Sequence, residues 1–107
     1  MIQVTYYRRY NRVTVEGHAG SGPEGHDLVC AAVSALALTL AGNVSHMEAQ
    51  GTVREAVIEL KEGDAQIQCT ASRRFKDSVE LIFHVICVGF ELLATKYPNN
   101  ISYEVRG

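Results

Sequence analysis

The order of apolar patterns predicts an α+β fold. It is a single small domain, ββαββαβ, with a mixed five-stranded sheet and two helices packed on one face. Three observations predict it. Residues 2–8, 12–18, 52–61, 65–71 and 101–105 are short segments of strand character, alternating or rich in β-branched and aromatic residues. Residues 27–45 and 75–97 repeat their apolar positions at helical spacing. Two pairs of strands are separated only by short polar turns, Arg9-Tyr10-Asn11 and Glu62-Gly63-Asp64, and so read as hairpins. Across the 107 residues no linker, internal repeat or shift in composition marks a second domain.

Each element has its own signal. In the first strand Ile2, Val4 and Tyr6 alternate with Gln3, Thr5 and Tyr7. The second is built on Val13 and Val15. By alternation His18, at its end, falls on the face of Thr14 and Glu16, although Gly17 can break that parity. In the first helix Val29, Val33, Leu36, Leu40 and Val44 form a bulky stripe suited to a sheet. Beside it Cys30, Ser34, Ala37 and Ala41 form a stripe of small residues. Residues 47–51 are expected to leave the helix. The third and fourth strands follow, with Ala65, Ile67 and Cys69 on one face. The second helix carries Val79, Ile82, Phe83, Ile86, Phe90, Leu93 and Tyr97, and a second apolar row of Leu81, Val85, Val88 and Leu92. Apolar over most of its circumference, it must be covered on more than one side, which suggests a neighbouring subunit. Pro98-Asn99-Asn100 ends it before the last strand.

Composition narrows the function. Lys plus Arg is 10 and Asp plus Glu is 12, a net charge of −2, so no basic field is available to hold a nucleic-acid backbone. Direct nucleic-acid binding is not expected. The amino terminus has no charged-then-apolar leader, and no uninterrupted apolar run reaches membrane-spanning length. The three cysteines, 30, 69 and 87, are an odd count without a Cys-x-x-Cys, which fits reduced thiols in the cytoplasm.

The chemistry concentrates between residues 17 and 34. A strand ends on a histidine, a loop holding Gly20, Ser21, Gly22, Pro23 and Gly25 follows, and a helix begins behind Asp27. Asp27 is a favoured N-cap, which makes Cys30 the third helical residue. The helix dipole and the unpaired N–H groups there favour the thiolate, while the Asp27 carboxylate opposes it. His18 lies twelve residues before Cys30, within reach if the loop folds back. A thiol, a base and open N–H groups are the parts of covalent acyl transfer. Ser34, one turn beyond Cys30, is placed to donate a hydrogen bond near it. Cys69 and Cys87 have no such setting and read as core. Asp27 has a sufficient role as the helix cap; holding the imidazole of His18, as the third member of a triad does, is the alternative role.

These residues carry a resemblance. His18-Ala19-Gly20, followed by Gly25-x-Asp27-Leu28-Val29-Cys30-Ala31-Ala32-Val33-Ser34-Ala35-Leu36, resembles the signature of the ribosomal-processing cysteine protease family, Prp. The order of elements is similar over essentially the whole chain. One departure falls in the loop, where members often carry an aromatic soon after His-Ala-Gly and this chain has Ser21-Gly22-Pro23. The resemblance implies that Cys30 is the nucleophile, that His18 is the catalytic histidine, and that Ser34 is a polar neighbour of the thiol. It also implies a substrate, the short N-terminal extension of the twenty-seventh large-subunit ribosomal protein, cleaved after aromatic residues. It further implies a homodimer. On this reading Gly20, Ser21, Gly22 and Gly25 belong to a loop that closes over the substrate.

Competing readings are weaker. Gly20-Ser21-Gly22-Pro23-Glu24-Gly25 matches G-x-G-x-x-G, but its strand belongs to a hairpin and its helix starts only at Asp27. His18, His26 and Cys30 offer three metal ligands at no standard zinc spacing. No cofactor is therefore expected. His26 competes with His18 as the base, but the motif does not include it. The alternative from another class is a non-catalytic dimeric module that assists ribosome assembly, with Cys30 as a core thiol.

Overall fold

The computed structural model describes residues 1–18 and 27–107. Five strands and two helices follow in the expected order: β1 (Ile2–Tyr7), β2 (Arg12–Gly17), α1 (Leu28–Ala49), β3 (Val53–Lys61), β4 (Asp64–Ala71), α2 (Lys76–Lys96) and β5 (Ile101–Arg106). The sheet order is β3-β4-β2-β1-β5. It is mixed, because β5 runs parallel to β1 while every other neighbouring pair is antiparallel.

Period decides which residues face the helices. Ile2, Val4 and Tyr6 of β1, Val13 and Val15 of β2, and Ile67 and Cys69 of β4 are buried on one side of the sheet. Onto them α1 lays Val29, Val33, Leu40 and Val44, and α2 lays Val79, Phe83, Ile86 and Phe90. Tyr6 stacks on Phe83, with ring centroids 6.1 Å apart. By length and composition both helices could cross a membrane. Here each has one face on the sheet.

Two departures from the expected elements have local causes. First, α1 continues through residues 46–49, because Met47 is buried and keeps the helical stripe going for another turn. Second, β3 is interrupted: its register against β4 shifts between Arg54 and Val57, and Glu55 sits in the left-handed region at φ 54. The carboxylate of Glu48 accepts the Ala56 N–H at 3.1 Å beside this bulge. The second apolar row of α2 lies open in the single chain, with Leu81, Val85 and Leu92 each about 60% exposed.

Candidate active site

Asp27 occupies the N-cap of α1, and its Oδ1 accepts the backbone N–H of Cys30 at 2.9 Å. This fixes where the thiol sits in the first turn. It also commits the Cys30 N–H to the cap, leaving the N–H groups of Leu28 and Val29, which no helical carbonyl can reach, as the candidates for receiving an oxyanion. Removing the cap should be felt in stability: Asp27→Ala is expected to cost about 0.5–2 kcal/mol, read as a shift in the urea midpoint.

His18 follows the last residue of β2. Gly17 has φ +94, and a side chain there would run into the carbonyl oxygen of Met1. The left-handed turn breaks the strand parity that would otherwise place His18 with Thr14 and Glu16. The Gly17 N–H donates to the Gly63 carbonyl at 2.9 Å, tying the end of β2 to the β3–β4 turn. On that turn Gly63 has φ +75, and a Cβ there would lie 2.8 Å from His18 Nε2. The imidazole thus rests against bare backbone.

His18 and Cys30 line one cavity of about 420 Å³. Ser34 and Ala37 continue its α1 wall, while Leu60 and Asp64 of the β3–β4 hairpin close the other side. The small-residue stripe therefore divides: Cys30 and Ser34 face the cavity, whereas Ala41, deeper along α1, is buried against the core. The loop residues Gly20, Ser21, Gly22 and Gly25, and the competing His26, lie outside the described residues. Sequence reasoning missed Gly63 as part of the site. Its only signal was a turn glycine, which shows that a hairpin bends there and not what rests on it.

The other two thiols are set apart by burial. Burial pushes Cys69 up to about 11, with the nearby Glu48 charge adding to it. Burial likewise pushes Cys87 up to about 11, against a hydrogen bond with Tyr103 that lowers it. Both stay neutral at pH 7. Iodoacetamide is expected to label Cys30 in the native chain, and Cys69 and Cys87 only after unfolding, read by peptide mass. A pH dependence follows. With folded pKa values raised above about 9, these thiols contribute stability that is whole below pH 9 and is lost as pH climbs toward 11. The loss should be about 1–3 kcal/mol per thiol, measured by urea unfolding at successive pH values.

A thiol at a helix start and an imidazole at a strand end, opening into one cavity of a small α+β domain, are the parts of a cysteine protease. The chain belongs to that class through a specific family, cysteine protease Prp, which matches residues 1–102. Solved structures agree on the fold. The ribosomal processing protease Prp from S. aureus, in complex with a covalently linked product peptide, is similar at 23% identity with a TM-score of 0.74, covering 98% of this chain and 97% of that one. The same S. aureus protease with a substrate peptide is similar at 22% identity, TM-score 0.69, with 98% and 97% covered. SMU.848 from Streptococcus mutans is similar at 28% identity, TM-score 0.70, with 99% and 94% covered. No curated protein matches the sequence.

Proposed function

We propose that the chain is a cytoplasmic cysteine endopeptidase that removes the short N-terminal extension of the twenty-seventh large-subunit ribosomal protein. The observation that carries this reading is the shared cavity of Cys30 and His18 in a member of the Prp family. His18 takes the proton of the Cys30 thiol, and Sγ attacks the scissile carbonyl carbon. The C–N bond breaks as His18 returns the proton to the departing amine. Water, deprotonated by the same imidazole, then attacks the thioester, releasing the carboxylate product and the Cys30 thiol. The covalently linked product peptide of the S. aureus relative supports this covalent route. Leu28 and Val29 N–H groups hold the developing oxyanion, and Ser34 supports the sulfur from one turn away.

A second copy of the chain covers the open row of Leu81, Val85, Val88 and Leu92 on α2, giving a homodimer. The deciding experiment incubates the native chain with a peptide spanning the extension and with the full-length ribosomal protein, the products being identified by mass. Cleavage after an aromatic residue of the extension supports the reading. A folded native dimer that cleaves neither substrate points instead to the non-catalytic assembly module.

A further inference from the structure

β3 is an edge of the sheet, and two hydrogen bonds fix which of its backbone groups are open. At the two ends of β4 the Gly63 carbonyl accepts the Gly17 N–H, and the Cys69 N–H donates to the Asn11 carbonyl. Odd-numbered residues of this strand therefore bond toward β2. Residues 64, 66 and 68 bond toward their partners in β3, Lys61, Glu59 and Val57. The N–H and C=O of Ile58 and Leu60 thus point out of the sheet, where no strand pairs with them among the described residues. Their side chains lie on the helix side, opposite Ile67 and Ala65, yet they are left 37% and 45% exposed. Leu60 and the exposed Leu38 of α1 line the cavity that holds Cys30 and His18, so this apolar edge runs directly out of the site. Sheet edges are ordinarily blunted, and the bulge at Glu55 interrupts β3 only at the end away from the site. Residues 57–61 are regular, about 13 Å of strand at ~3.3 Å per residue.

We propose that this open edge pairs with the substrate residues preceding the scissile bond, so that the extension adds a further strand beside β3. The proposal rests on the peptidase reading above. Continuity names the occupant. A peptide whose carbonyl sits at Cys30 fills the cavity, and a chain leaving it past Leu60 meets unpaired N–H and C=O groups. The residues before the scissile bond stay attached to sulfur after the amine has left, so pairing holds them through both halves of the reaction. β3 runs toward the cavity, from Val57 to Lys61, and the added strand therefore runs parallel to it. In a parallel pair, the substrate residues that bond to Ile58 and Leu60 alternate with those whose side chains lie beside them. Main-chain bonds then give affinity whatever the sequence. The apolar strip of Leu38, Leu60 and Ile58 adds a preference for an apolar residue at every second position.

The test gives the native chain a series of extension peptides, each N-methylated at one residue preceding the scissile bond. kcat/KM is expected to fall about tenfold at every second position and to stay within about twofold at those between. Ile58→Lys, a change outside the cavity, should raise KM for the unmodified peptide about fivefold with kcat unchanged. On the ester of a single aromatic amino acid, which reaches no further than the cavity, it should match the native chain. Equal losses at every methylated position, or none, with cleavage of the unmodified peptide intact, overturn the pairing and leave the peptidase reading standing. An alternating loss confined to residues after the scissile bond overturns the assignment to the extension. A change of oligomeric state in Ile58→Lys also overturns it, since a second copy then occupies the edge. If the native chain cleaves no substrate, amide exchange decides. Slower exchange of the Ile58 and Leu60 N–H groups on adding the extension peptide supports the paired edge, and unchanged exchange overturns it.

Discussion

Replacing Cys30 with alanine is expected to lower kcat on the extension peptide by roughly 10⁴-fold or more, with the fold intact. The side chain is half-buried and faces the cavity, so its loss removes a sulfur without opening a hole in the core. His18→Ala should lose roughly 10³–10⁴-fold, because without a base the thiol is left as a poor nucleophile and the amine as a poor leaving group. The informative result is the double variant. Two residues acting on one proton fail as a unit, so Cys30→Ala/His18→Ala should be no slower than Cys30→Ala alone. Losses that multiply in the double variant mean that the two side chains act separately, and would remove His18 from the role of base. The measurement is single-turnover cleavage with the native and variant chains matched for urea midpoint.

Gly63→Ala is expected to reduce kcat about 100-fold with KM changed less than about twofold. A methyl group there must occupy space 2.8 Å from His18 Nε2 and 3.1 Å from Cε1, so the ring has to move. A displacement of about 1 Å at a proton-transferring group is enough for such a loss. Backbone strain at φ +75 would also destabilise the variant, by about 1 kcal/mol. Gly51→Ala separates the two effects. Gly51 has nearly the same φ, +77, but open space where its Cβ would go. It should lose similar stability and keep full turnover. Gly63→Ala should in addition shift the pH profile of kcat/KM, which a purely structural defect leaves in place. Equal turnover in the two variants means that Gly63 does not position the imidazole.

The sequence was legible where periodicity is local. Alternation found β1, β2 and β5, helical spacing found α1 and α2, and the turn at Glu62-Gly63 was visible from composition. It was illegible where partners distant in the chain decide the outcome. The bulge at Glu55 depends on pairing with β4, so nothing in residues 53–57 taken alone announces it. The extra turn of α1 depends on Met47 finding a buried place, not on helix propensity. The site divides in the same way. Asp27, Cys30 and Ser34 lie within one helical start, and their spacing alone places them. The position of His18 rests instead on Gly17 and on a hydrogen bond to Gly63, 46 residues further along, which no local pattern reveals.

The parallel pairing of β5 with β1 has a consequence for how the enzyme comes into being. Ile2 pairs with Ile101, so the sheet is complete only when segments 99 residues apart have met. Closing so long a loop costs entropy before any pairing rewards it, and contacts of this range place a domain toward the slow end for its size. On the ribosome β1 is made well before β5 and must wait for it. The sheet whose second strand leads into His18 is therefore complete only after β5 has been made and has docked.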